Sequence, residues 1–301
     1  MRWKSGRRSS NVEDRRGQSA GYGSAGGSGG LLAFLPMLIR SKTGRIMIAI
    51  AVLVFFGAKM IGVDLTPLIL GGSTSNIPAQ PYELTPEEQE LADFVSVVLA
   101  DTEDTWNALF PQLGRAYKEP TLVLFTSRVN SACGLASSAV GPFYCPGDQK
   151  LYLDLSFFND LKQRHGAPGD FAQAYVIAHE VGHHVQTLLG ISNEVRQAGR
   201  GKSKAQVNAL SVRQELQADC FAGLWGNAAN TKRQLLDPGD LEEALQAATA
   251  IGDDRLQRES GRGVVPDSFT HGTSAQRVRW FRKGFESGDL ASCDTFAVEN
   301  L

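Results

Sequence analysis

Residues 170–190 read DFAQAYVIAHEVGHHVQTLLG, and at their centre stand His179-Glu180-Val181-Gly182-His183-His184. Apolar residues recur at helical spacing, Asp170 sits where an N-cap would, and Gly190 follows the last periodic residue. The pattern predicts one helix from Phe171 to Leu189. His179 and His183 are i and i+4, so both project from one face of it. Two imidazoles placed this way chelate a single Zn²⁺, one per chain, with Glu180 beside them as general base. Three of the chain's five histidines fall in these six residues. His184 points about 100° away from His183 and reads as structural.

Catalytic zinc usually takes three protein ligands and a water. A third histidine on the same segment would need glycine at position 186 and histidine at 189, where this chain has Gln186 and Leu189. The candidate comes later, in Arg213-Gln214-Glu215-Leu216-Gln217-Ala218-Asp219, on a helix predicted from Lys204 to Gly226. Glu215 completes a His₂Glu set. Asp219, one turn on, is placed to accept the distal N–H of a ligand histidine. Leu216, Cys220, Phe221, Ala222 and Leu224 make that helix largely apolar, so a carboxylate pair within it needs a partner. His271 lies in Ser268-Phe269-Thr270-His271-Gly272-Thr273-Ser274-Ala275-Gln276-Arg277, just before a helix predicted over 273–288. From there it is a candidate to stabilise an oxyanion, and Arg277, a turn into the helix, is a candidate to orient Asp219.

Around these motifs the chain reads as α+β, because strands come early and helices late. Thr85-Pro86-Glu87-Glu88 is a capping-box signature opening a helix through about Ala100. Thr121 to Thr126 (TLVLFT) reads as a buried strand, and Pro142 to Asp154 as two short strands about a Pro-Gly-Asp turn. Those two strands offer an edge for an extended peptide, with Tyr144 and Tyr152 as candidate lining residues. A further helix is predicted over 240–254.

The chain has 301 residues and a net charge of −2, which hides an asymmetry. Residues 1–45 carry nine Lys/Arg and two Asp/Glu, and the rest carries 21 and 30. An acidic body excludes nucleic acid as the main partner. Residues 46–63 form an apolar run of 18 residues interrupted only by Lys59, close to the roughly 20 that span a bilayer. Arg40, Lys42 and Arg45 precede it, so the positive-inside rule predicts a cytoplasmic N-terminus and a periplasmic or extracellular body. A cleaved signal peptide fits poorly, since 45 residues precede the run. The expected organisation is a basic, Gly/Ser-rich disordered cytoplasmic segment over 1–42, one transmembrane helix over 43–63, a linker over 64–81 and the folded domain over 82–301. Cys133, Cys145, Cys220 and Cys293 are an even set that suits an oxidising compartment. The Gly/Ser-rich segment between Cys133 and Cys145 can fold back as a hairpin, so the expected pairs are Cys133 with Cys145 and Cys220 with Cys293.

HEVGHH, then ELQAD, then SFTHGTSAQR, together with the opening NVEDRRG and the FYCP and YLD segments, resemble a bacterial family of neutral zinc metallopeptidases. The zinc motifs are also similar to those of the gluzincins, whose glutamate ligand lies in an E-x-x-x-D pattern. The resemblance implies a zincin-like domain with a small sheet and a mostly helical C-terminal half. It implies His179, His183 and Glu215 as ligands and Glu180 as base. His271 and Arg277 resemble a histidine and an arginine that follow the ligand helix in integral-membrane gluzincins. The expected activity is that of an endopeptidase, hydrolysing peptide bonds of a protein or peptide substrate by a zinc-activated water. The rival reading is a non-catalytic zincin-fold binding or assembly protein at the cell envelope.

Overall fold

Thr85 opens the first helix, α1 (Pro86–Leu109), through a complete capping box: its side chain accepts the Glu88 backbone N–H while the Glu88 carboxylate accepts its own. The helix runs past Ala100 because Val98, Leu99 and Trp106 continue its buried face. The computed structural model describes residues 1–18, 83–261 and 263–301.

The short strands are β1 (Val12–Asp14), β2 (Thr121–Phe125), β3 (Arg128–Ser131), β4 (Gly134–Ser137), β5 (Phe143–Cys145) and β6 (Lys150–Asp154). Four of them form a sheet in the order β1-β2-β6-β5, in which β1 and β6 run parallel to β2 and β5 runs antiparallel to β6. β3 and β4 make a separate antiparallel hairpin. Successive side chains of a strand face opposite ways. Leu122, Leu124, Leu151 and Leu153 accordingly enter the main core, while Val123, Phe125 and Tyr152 pack with Val129 of the hairpin.

The rest is helical: α2 (Ser156–Gln163), α3 (Asp170–Leu189), α4 (Ile191–Ala198), α5 (Lys204–Thr231), α6 (Asp240–Ala250), α7 (Asp253–Glu259) and α8 (Ser274–Ser287). The α+β class holds, mostly helical with a small sheet. α5 and α8 pack backbone to backbone: a Cβ on Gly223 would fall 2.0 Å from the Phe281 carbonyl oxygen, and one on Gly284 2.0 Å from that of Cys220. The Cys220–Cys293 disulfide clamps the same crossing, and Cys133–Cys145 ties the β3–β4 turn to the end of β5.

Three local expectations are corrected. Asp170 does not cap α3. Gly169 is the N-cap, with φ 118°, and the Phe171 N–H is satisfied by Glu243 from α6, at 3.1 Å. The helix expected over 240–254 breaks at Ile251–Gly252, because Gly252 lies against Ser274, where a Cβ would meet the backbone nitrogen at 2.4 Å.

The third correction is the largest. Residues 1–18 were expected to be disordered, yet they fold with residues 83–301 as one unit. Val12, Glu13 and Asp14 pair with Leu122, Val123 and Leu124, Trp3 packs edge-on against Phe94, and Arg7 bonds Glu103 and Asp104. The segment has too few apolar residues to make a core of its own, but it completes one supplied by α1 and β2. The remainder of the expected disordered segment, the expected spanning helix over 43–63 and the linker over 64–81 lie outside the described residues. Among the described residues no helix is long and apolar enough to cross a membrane.

Candidate metal centre and its cleft

α3 brings His179, Glu180 and His183 to the domain centre, and α5 crosses it with Glu215 and Asp219. The crossing is close at Gly182, whose absent Cβ would lie 3.0 Å from the Ala218 carbonyl oxygen and 3.1 Å from its Cα. That approach places Glu215 Oε2 3.1 Å from His179 Nε2 and 3.4 Å from His183 Nε2. One donor atom from each of the three residues lies within 4.8 Å of the others, so together they could hold one metal ion. Burial opposes ionisation of Glu215, but the facing His183 and His179 hold it well below the ordinary carboxylate range.

Each imidazole is oriented from behind. His179 Nδ1 is 2.9 Å from Asp219 Oδ1. Burial would raise the Asp219 carboxyl, yet the Arg277 charge and the bonds from His179 and Arg277 hold it at about 2. An ionised carboxylate only accepts, so His179 donates from Nδ1 to Asp219 and from Nε2 to Glu215, and Nε2 is the atom that would exchange its proton for a metal. Arg277 binds Asp219 through Nε and Nη2 at 2.8 and 2.9 Å, and the Tyr175 hydroxyl donates to the same carboxylate at 2.5 Å. His183 is held by Gln186, whose Oε1 lies 3.0 Å from Nδ1. Gln186 is fully buried and donates in turn to the Gln214 carbonyl and the Gln217 side chain, at 2.7 and 3.0 Å. Sequence reading missed this role, although Gln186 sits three residues after His183 on the same helix face.

His184 faces elsewhere. It is fully buried, with Nε2 2.6 Å from the Lys118 carbonyl and Nδ1 3.2 Å from the Tyr144 hydroxyl. It therefore donates from Nε2 and accepts from Tyr144, and burial pulls its pKa down to about 4. It ties α3 to β5, the terminal strand of the sheet. Burial raises the Glu180 carboxyl above its ordinary range, against the opposing pull of His183 and His179.

A cleft of about 650 Å³ opens over this centre. Glu180, His183, Tyr144, His271, Ile251 and Leu256 line it. The sequence reading missed what positions His271, which is Asp253. One carboxylate oxygen of Asp253 is 3.2 Å from His271 Nδ1, and the other accepts the backbone N–H groups of Thr270, His271 and Gly272. Tyr152 points away from the cleft, bonded to Asp148 at 2.7 Å and stacked on Phe143.

Residues 1–296 match the family described as "Putative neutral zinc metallopeptidase". The chain belongs to this family. It is 53% identical over 296 residues to the uncharacterized protein YpfJ of Escherichia coli (strain K12), covering 98% of this chain and 99% of that one. It is 42% identical over 218 residues to the uncharacterized protein Rv2575 of Mycobacterium tuberculosis (strain ATCC 25618 / H37Rv), covering 69% of this chain and 73% of that one. No solved structure matches. The family match begins at residue 1, and so takes in the N-terminal segment that folds with the domain.

Proposed function

We propose that this protein is a zinc metallopeptidase with a zincin-like domain, acting on protein or peptide substrates. The observation that carries the reading is the convergence of His179, His183 and Glu215 beside the half-buried Glu180, within one cleft. Two imidazoles and one carboxylate are a donor set that suits catalytic zinc. Bound there, zinc would supply Lewis acidity and lower the pKa of water.

The chain's own residues do the rest. Glu180 takes a proton from the attacking water and returns it to the leaving amine. Asp219 and Gln186 keep the Nδ1 protons of His179 and His183 in place, leaving both Nε2 atoms free to ligate. His271, in the same cleft, donates toward the oxyanion. β5 offers its edge to an extended peptide, which would run past Glu180. The two disulfides suit a place outside the cytoplasm, and the apolar run 46–63 would hold the protein at a membrane.

The test uses the full chain with disulfides formed. Stoichiometric zinc and cleavage of unfolded casein are expected, and the Glu180→Gln variant should keep its zinc while losing turnover. Full activity in that variant would remove Glu180 as the base. A chain that binds no zinc would remove the site.

A further inference from the structure

We infer that residues 1–18 and residues 83–301 lie on the same side of the membrane. The inference starts from what the N-terminal segment does. β1 contributes backbone hydrogen bonds to β2: the Arg15 N–H reaches the Leu124 carbonyl at 2.8 Å, and the Leu122 N–H reaches that of Asn11 at 2.8 Å. These bonds require both strands in one compartment.

Glu103 makes the same demand more strongly. Its carboxylate lies on α1 and its side chain is 1% exposed. Arg7, Ser9 and Asn11 bond it at 2.9, 2.5 and 2.9 Å. A bilayer's hydrocarbon core is about 30 Å thick. A single crossing would remove these three partners together and leave a carboxylate sealed in the fold, which is strongly unfavourable.

The charge asymmetry has the same explanation. Arg2 meets Asp237, Lys4 meets Glu90, Arg7 meets Glu103 and Asp104, and Arg8 meets Asp93. The buried Arg16 donates to the Glu88 carbonyl at 3.0 Å. The cations at the start of the chain are thus a complement to the acidic body. Gly6 fits this docking as well, since a Cβ there would meet Val97 Cγ1 at 2.5 Å.

Sidedness is read on the full chain in spheroplasts. Exposed Ser5 and Asn300 are changed singly, Ser5→Cys and Asn300→Cys, and each variant is treated with a membrane-impermeant maleimide before and after lysis. Both surface positions tolerate a small side chain, and retained casein cleavage reports that each variant is folded. Equal labelling of the two positions before lysis is expected, and protection of both until lysis would equally uphold the shared side. Labelling of position 300 before lysis with position 5 reached only afterwards would overturn the inference.

Discussion

Asp219 Oδ1 lies 2.9 Å from His179 Nδ1, and the same carboxylate takes two guanidinium bonds from Arg277, at 2.8 and 2.9 Å. One buried anion therefore orients His179 and neutralises a buried cation. Asp219→Asn removes the charge at constant volume. It should weaken zinc binding by about 10–100-fold and, by leaving Arg277 unmatched, cost about 3–5 kcal/mol of stability. Chelator competition and thermal melting read the two effects separately. Gln186→Leu should weaken zinc with a smaller loss of stability, because no charge is stranded.

Gly182 sets the distance between the two ligand helices. Gly182→Ala places a methyl group 3.0 Å from the Ala218 carbonyl oxygen and 3.1 Å from its Cα. The helices must part, at about 1–3 kcal/mol, and Glu215 moves with α5. Lower zinc affinity together with a lower melting temperature is expected. Gly284→Ala, with its closer approach to Cys220, should destabilise more than Gly182→Ala while leaving the ligands untouched.

His271 lines the cleft with Glu180 and is held there by Asp253. His271→Ala should lower kcat by about 10²-fold with a small change in KM and no loss of zinc. Burial raises the Asp253 carboxyl, but His271 and the loop N–H groups outweigh this and leave it lowered. The bonds from Asp253 are therefore intact above the ordinary carboxylate range and are lost as pH falls through its depressed pKa. Hydrogen exchange at residues 270–272 should quicken on acidification in that range. Asp253→Asn should show fast exchange there already at neutral pH.

The two disulfides should differ in weight. Cys220 and Cys293 are 73 residues apart and Cys133 and Cys145 are 12 apart. Loop-closure entropy assigns about 4 kcal/mol to the first and about 3 kcal/mol to the second. Denaturant unfolding of the paired Cys→Ala variants should rank them in that order. Loss of Cys133–Cys145 should also raise KM, since it frees the end of β5 beside the cleft.

The helix of His179 and His183, the helix of Glu215 and Asp219 and the class of fold were legible in the amino-acid sequence alone. Helical spacing is a local property: residues four apart share a face whatever surrounds them, so His179 with His183 and Glu215 with Asp219 were readable as pairs. The strands at Thr121 and Lys150 were legible from local signals too, the first as a short apolar run and the second from the Pro-Gly-Asp turn before it. The tertiary structure decided which pairs meet and what stands behind them. Glu243 caps α3 from α6, Gln186 holds His183, and Asp253 holds His271. The first eighteen residues join the domain they precede. Each of these depends on a partner many residues away or on burial, and neither leaves a periodic trace. The N-terminal segment shows this most plainly. Its cations read as part of a basic, disordered stretch when only their neighbours in sequence were considered. Glu90, Asp93, Glu103 and Asp237, brought to them by folding, make them part of the domain.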